Sequence, residues 1–495
     1  MSKRAPPISI TACLLLGMMA GCARRSGEQV TPRRPVSDGG TLATPSASTI
    51  TRAPAVASPV VDAPSVLLRL IERPDPGLTG VVVPAFAELP SGEIVVAGSS
   101  WETDLGPGAE RVADGFVAAY GPDGIRRWLC LSSATPEPLL VEGAGGVHVA
   151  LSVAGAAGCK PGFGAPRAED RWGAPASQVF WNVVHVALDA RGAPRWSTPY
   201  SSAGVSVALR TAVGDHGTVL LFGFGSAPGT FTLSALDAAG RLRWSRRGPK
   251  VDTNSPTELP ELATAADGTV VMFTGVFTGN LDGSNAARPS PLPSMSLVKL
   301  DANGRVAWSD PMTLSDTRER DDRLFVSAVA FDGDDILVLG HATRAMKLGG
   351  QLVACTPGAP LFLARLDASG RARWARVLER SPDLDPDQPV QMLRASSGGV
   401  IVVGRSLGPP MNDGEQQDVR VSLVRFDRGG RQSAQRSLSL NGMSNAPTFA
   451  ASAAGDSVLM GAAVKTVEQL RNLFPGSSTR LAPSGVTILV GRISM

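Results

Sequence analysis

Leu366-Asp367-Ala368-Ser369-Gly370-Arg371-Ala372-Arg373-Trp374 is the stretch from which the fold is read, because the chain repeats it. Leu188-Asp189 is followed by Gly192 and Trp196, Leu236-Asp237 by Gly240 and Trp244, and Leu300-Asp301 by Gly304 and Trp308. In every copy the Trp stands four residues after the Gly. Two degenerate copies flank these. Gly124 and Trp128 keep the spacing with Gly121 in place of Asp, and Asp427 and Gly430 keep the turn with Ala434 in place of Trp. Asp accepts hydrogen bonds from backbone amides ahead of it, and Gly adopts the left-handed conformation. Asp-x-x-Gly therefore predicts a type I turn with a bulge, joining two antiparallel strands. The Trp is expected to fill the space against a neighbouring sheet, since large aromatics dominate core burial.

Between these copies runs a second recurrent element, a turn and then an apolar run. It occurs at Gly92 to Gly98, Gly146 to Val149, Gly217 to Leu221, Gly268 to Phe273, Asp335 to Gly340, Gly399 to Gly404 and Ser457 to Gly461. The runs are continuously apolar, which predicts strands buried on both faces. Each repeat then reads as four strands: one before this turn, as at Glu261 to Thr264, the apolar run, the strand leading to Asp, and the Trp strand. The strand leading to Asp recurs once more at Thr487 to Arg492, without its hairpin partner, while Val66 to Ile71 is a spare strand at the other end. Pairing 66–71 with 487–492 predicts an all-β, seven-bladed β-propeller of four-stranded antiparallel blades with no open edge at the closure.

The Leu-Asp-x-x-Gly-x-x-x-Trp units resemble the repeats of pyrroloquinoline-quinone-like (PQQ-like) propellers and of bacterial seven-bladed propeller repeat proteins. Leu348-Gly349-Gly350 followed by Leu361 to Asp367 is particularly similar to the latter. Similar propellers serve as quinoprotein dehydrogenases and as outer-membrane lipoproteins that scaffold assembly machinery, so the resemblance implies the fold and leaves the activity open. Quinoproteins of that kind usually carry eight blades, adjacent cysteines and a calcium held by acidic groups. Here Cys130, Cys159 and Cys355 are far apart, and the histidines are scattered at 148, 185, 216 and 341. Asp383-x-Asp385-x-Asp387 is followed by Gln388 where a calcium loop needs Gly, so it reads as a solvated loop. With no nucleophile elbow, zinc-protease or phosphate-loop motif either, the expectation is a protein without catalytic residues, cofactor or metal.

At the N-terminus, Lys3 and Arg4 precede an apolar run from Ile8 to Met19 that ends in Met19-Ala20-Gly21-Cys22. This resembles a bacterial lipobox, which implies cleavage before Cys22 and acylation of that cysteine. The run is shorter than the roughly 18 to 20 residues of a membrane span. Residues 1–21 are therefore expected to be a lipoprotein signal peptide. Residues 22–65, rich in Pro, Ser, Thr and Ala, form a disordered tether, and 66–495 the propeller. Loss of Lys3 and Arg4 takes the formal charge from +3 to +1, which argues against nucleic acid as a partner. Ala23 is not the Asp that retains many such lipoproteins at the inner membrane, so the expected location is the outer membrane of a Gram-negative envelope.

Both hairpin turns of each repeat fall at one end of the sheets and are short. The opposite end carries long, irregular connections at 99–114, 154–178, 278–294, 341–360 and 405–418. Length variation on one face marks function on repeat scaffolds, although tolerated insertion produces the same pattern. Trp101, Trp172, Lys250, Asp252 and His341 are the candidate ligand-face residues. Arg127, Arg195, Arg243 and Arg373 precede the repeat Trp and read as protection of sheet edges. The expected function is a non-enzymatic, membrane-anchored propeller that binds a protein or envelope glycan. A quinone-dependent redox propeller and a structural envelope spacer are the alternatives.

Overall fold

The computed structural model describes residues 65–72, 85–99, 103–104, 115–123, 125–132, 135–136, 140–141, 146–153, 182–199, 205–214, 219–225, 231–247, 261–265, 267–274, 295–314, 324–356, 360–378, 391–395, 398–407, 419–440, 448–452, 457–464 and 486–495. All of them belong to the larger of two units, Ala53–Met495, and the other unit is Met1–Arg52. Six sheets follow chain order. Sheet A holds Ala85–Glu88, Ile94–Ser99, Gly115–Tyr120 and Arg126–Ser132, and sheet C holds Val205–Val213, Val219–Gly225, Phe231–Leu236 and Leu242–Arg247. Sheet B, between them, holds Val147–Val153, Asn182–Leu188 and Pro194–Pro199, with the short strands Thr135–Pro136 and Leu140–Val141 both paired to Val147–Val153. Sheet D contains Glu261–Thr264, Val270–Thr274, Met295–Leu300 and Val306–Leu314. Sheet E contains Leu324–Asp332, Asp335–Ala342, Leu361–Leu366 and Ala372–Leu378, and sheet F Gln391–Arg394, Val400–Leu407, Val419–Phe426 and Gln432–Leu440.

A further sheet, G, joins the two ends of the chain. Thr448–Ala451, Ser457–Val464 and Val486–Ser494 are completed by Ser65–Glu72. Within it Val66 lies opposite Gly491 and Ile71 opposite Thr487, the pairing expected of the two spare strands. Among the described residues every strand pairing is antiparallel. The first strands of successive sheets touch in chain order, and Thr448–Ala451 of sheet G touches Ala85–Glu88 of sheet A. The fold is an all-β propeller of antiparallel sheets.

The uniform count of four strands does not hold. Sheets B and G have five strands and sheet D has six. Two long connections account for the additions in D and G. The 341–360 connection of sheet E forms a hairpin, Met346–Leu348 with Gln351–Val353, whose Lys347 pairs with Thr313 on the outer strand of sheet D. Its tip is pinned at both sides: Gly349 N–H donates to Asp310 at 2.7 Å, and Gly349 C=O accepts from Ala372 N–H at 2.9 Å. Likewise Thr103–Asp104, from the 99–114 connection of sheet A, pairs with Ser65–Glu72 on the outer side of sheet G. An extra strand there covers the backbone edge of the preceding sheet.

The repeat motif is explained at atomic detail by sheets C and D. Asp237 Oδ1 accepts the N–H groups of Ala239 and Arg241, each at 2.9 Å, while Gly240 N–H returns to Asp237 C=O at 2.9 Å. Asp301, Asp189 and Asp367 repeat this arrangement. A register shift follows in every copy, as between Ala235 and Leu236, which is the predicted bulge. In the degenerate first copy Gly121 keeps the backbone bond, to Ile125 C=O at 2.9 Å, and Asp123 supplies the side-chain acceptor for Ile125 N–H at 3.0 Å.

The Trp of one sheet locks onto the turn of the next. Trp128, Trp196, Trp244, Trp308 and Trp374 donate Nε1–H to the carbonyls of Ala190, Ala238, Ala302, Ala368 and Arg428, at 3.0, 2.7, 3.0, 3.0 and 3.1 Å. The turn glycine of that next sheet lies on the indole ring. A Cβ on Gly192, Gly240, Gly304 or Gly430 would stand 2.4 to 2.7 Å from it, so Gly is required for space as well as for its positive φ. Five such junctions join sheets A to F. With Ala434 in place of Trp, sheet F meets G through an apolar cluster that includes Ile401, Val403, Phe449, Val458 and Met460. Sheet G meets A through Phe86, packed on Gly461, and through the buried Glu88 carboxylate, which accepts from Ser452 Oγ at 2.7 Å and from Arg492.

Candidate functional site

The turn end of sheets E and F departs from the repeat, and the departures meet at one cavity. In sheets A, D and F the first hairpin has the same hydrogen-bonded glycine turn as the Asp-x-x-Gly hairpins of sheets B to F, with Gly92, Gly268 and Gly398 at positive φ. Sheet E replaces it with a two-residue turn, Gly333-Asp334, so that Asp332 and Asp335 lie directly opposite each other. Across from the repeat Trp, sheets A to C carry Ala119, Ala187 and Ala235, whereas sheet D carries Lys299 and sheet E carries Arg365. The residue after the turn Asp is Ala190, Ala238, Ala302 and Ala368 in sheets B to E, but Arg428 in sheet F.

These side chains form a chain of alternating charge. Arg365, only 2 % exposed, donates Nε–H to Asp335 and Nη2–H to Asp332, both at 2.6 Å. Arg373 reaches the other oxygen of Asp335 at 2.8 Å, and Arg428 Nε lies 3.8 Å from Asp332. The order is Arg373, Asp335, Arg365, Asp332, Arg428, with arginine at both ends and three positive charges against two negative. Burial pushes the Asp335 carboxyl up. The hydrogen bonds and charges of Arg365 and Arg373 more than offset this and hold it below the usual carboxylate range. Asp335, Arg365, Arg373, Trp374 and Arg428 line a cavity of about 330 Å³.

A second departure lies inside sheet B. His148 and His185 occupy register positions that hold Val95, Val271, Leu337 and Ile401, and Val117, Leu233, Leu297, Leu363 and Leu423, in other sheets. Both rings are buried. His148 Nδ1 lies 3.0 Å from His185 Nε2, and the ring centroids of His185 and His148 lie 5.5 and 5.6 Å from that of Trp196. Burial, and then the charge of His148, push the His185 pKa well below its usual value, so the ring is held neutral. Among the described residues no group of three or more His, Cys, Asp or Glu is placed to hold a metal ion.

Of the residues singled out by sequence, Cys22, Trp101, Trp172, Lys250 and Asp252 lie outside the described residues, as do Asp383, Asp385, Asp387, Cys159 and His216. His341 lies within the second strand of sheet E and is buried, with its ring stacked on Phe325 at 4.8 Å. That environment is core, not an open face. Cys355 is a free, buried thiol whose pKa burial pushes up to about 12, which keeps it protonated and unreactive. Arg373, read from sequence as edge protection, lines the cavity instead, whereas Arg127 pairs with Asp123 at 2.9 Å within its own turn. No sequence motif marks the cavity, because Asp332, Asp335, Arg365 and Arg428 come from separate turns and strands of two sheets. The signal that could have found it was departure from the repeat at the Asp332–Asp335 turn and at Arg428.

No family model matches the chain, and no curated protein matches it. Among solved structures it is similar to the WD40 domain from Toxoplasma gondii coronin, with 10 % identity, 88 % of this chain and 89 % of that chain covered, and a TM-score of 0.40. It is also similar to a protein of unknown function from Dyadobacter fermentans DSM 18053, at 11 % identity over 73 % of this chain and 94 % of that one, TM-score 0.37. A protein of unknown function from Bacteroides caccae matches at 14 % identity over 70 % and 93 %, TM-score 0.34.

Proposed function

We propose that the chain is a lipid-anchored protein of the bacterial envelope whose propeller binds another protein or an envelope glycan through its long-connection end, without catalysis. In this reading residues 1–21 are removed, Cys22 carries the acyl chains, and 22–65 tether the domain to the outer membrane. Acyl chains contribute about 0.8 kcal/mol per buried methylene, so two or three of them hold the protein there. Sheet G counts as a blade beside A to F, which makes a seven-bladed ring of PQQ-like repeats closed through Ser65–Glu72.

The observation that carries the reading is the row of five Trp-to-turn junctions. They make one end of the sheets an internally hydrogen-bonded surface of short turns, with departures at sheets E and F, and leave the variation in connection length to the other end. There the second-to-third strand connections run from Gly225–Phe231, the shortest, to Val153–Asn182, the longest. A rigid scaffold with variable loops at one end is the arrangement that binding proteins use. The test has two arms. Palmitate labelling of the wild-type and Cys22→Ser proteins reads the anchor, and loss of label with release from membranes is expected. In-cell cross-linking reads the partner. The cross-linked species should vanish when the 154–178 and 278–294 connections are shortened to the length of 226–230. Membrane retention of Cys22→Ser, or cross-links indifferent to loop shortening, overturns the corresponding half.

A further inference from the structure

We propose that the cavity between the turns of sheets E and F binds a small organic carboxylate, with Arg373 and Arg428 holding the anionic group and Trp374 flanking the body of the ligand. The Arg428 side chain has no part in the repeat's own packing. The residue's carbonyl accepts the Trp374 indole N–H, but Ala190, Ala238, Ala302 and Ala368 perform the same task at four other junctions with a methyl side chain. The guanidinium therefore adds nothing that the repeat requires. The same holds for Asp335, which stands where other sheets have Glu93, Thr269 or Gly399, whereas the position of Arg365 is Ala in sheets A to C and basic in sheets D and F, as Lys299 and Arg425. When a repeat protein breaks local rules at several positions that converge on one cavity, a grafted site is the physical expectation.

Arg365 is buried and anchors both aspartates, which in turn aim Arg373 and Arg428. These end members are 56 % and 67 % exposed. Each guanidinium presents five N–H donors in a planar fork, of which Nε faces an aspartate, and the fork matches a carboxylate bidentately. Asp367 also lies within the field of Arg373, so the preference for an anion rests on the guanidinium forks of the two end arginines and not on a net charge. The depression, open to solvent and about 330 Å³, lies at the small end of the range for small-molecule sites, and an indole wall suits a planar or apolar body.

The experiment is calorimetric titration of the purified full-length protein with benzoate, with benzamide as the uncharged isostere and inorganic phosphate as the inorganic anion. Benzoate should bind at a single saturable site, with benzamide and phosphate at least about tenfold weaker. Arg428→Ala restores the residue of the other turns. It should weaken benzoate about tenfold or more while leaving the melting temperature unchanged, since an exposed pair at this distance contributes little to stability. Absence of saturable benzoate binding, phosphate binding as tight as benzoate, or benzoate affinity unaltered in Arg428→Ala would each overturn the proposal. A large fall in the melting temperature of Arg428→Ala would do the same, because the arginine would then be structural.

Discussion

Gly304 and Gly350 separate two demands that usually coincide. Both have positive φ, +74° and +80°, but a Cβ on Gly304 would stand 2.6 Å from the Trp244 ring, whereas one on Gly350 meets nothing within 4 Å. Gly350→Ala is expected to cost about 1 kcal/mol, the backbone share alone. Gly304→Ala should cost roughly 2 to 4 kcal/mol, because the indole must shift as well. Urea denaturation of the two variants gives the difference directly, and equal costs would remove the stacking argument. At His185 the decisive quantity is protonation. Unfolded, the ring takes up a proton near its usual pKa of 6.5; folded, only well below it. Between those values the unfolded state binds more protons, so stability rises with pH and is lost as the solution is acidified below about 6.5. The loss reaches a factor of about ten in the folding equilibrium per pH unit. The double substitution His148→Val with His185→Leu, which installs side chains of the other sheets, should flatten that part of the pH profile. A slope unchanged from wild type would exonerate the pair.

At the level of the strand and its neighbour, the Trp junction is a hydrogen bond added to a packed ring. Trp244→Phe keeps an aromatic on Gly304 but loses the bond to Ala302 C=O, an expected cost of about 1 kcal/mol. Trp244→Ala also empties the space between sheets C and D and should cost about 3 to 5 kcal/mol. Denaturation midpoints at constant slope read both. Asp-x-x-Gly and the Trp spacing were legible in sequence because every contact inside the turn spans at most four residues, as between Asp237 and Arg241. The hairpin at Met346–Leu348 and Gln351–Val353 was not. Its segment read as a loop at the variable end, and its strand character comes from pairing with Thr313 and Leu314 of another sheet.

For the propeller as a whole, the junction of sheets G and A differs from the other joints in resting on a buried carboxylate. Glu88 is shared between Ser452 and Arg492, residues 364 and 404 positions away. Arg492→Met leaves Glu88 with less compensation and is expected to cost about 3 kcal/mol, towards the low end for a broken buried pair because Arg492 is over a third exposed. Removal of Ser65–Glu72 takes away the strand opposite Val486–Ser494 and exposes its backbone edge. The expected outcome is aggregation and a broadened thermal transition, read by light scattering and calorimetry. A soluble monomer with a wild-type transition would show that the end-to-end pairing carries no stability.

The amino-acid sequence alone determined the turns, the buried second strands and the pairing of 66–71 with 487–492. These follow from short-range chemistry, from hydrophobic runs, and from two strands left without partners at opposite ends. It did not determine which polar side chains would be enclosed. Arg365 and Lys299 occupy the same register position opposite a repeat Trp, yet Arg365 is buried between two aspartates while Lys299 reaches Ala368 C=O of the next sheet. Nothing local distinguishes them. The difference lies in Asp332 and Asp335, more than twenty-nine positions from Arg365, and in Arg428 on the following sheet. Only the stacking of sheet on sheet brought them together, because a strand decides which face a side chain takes but not what will be facing it.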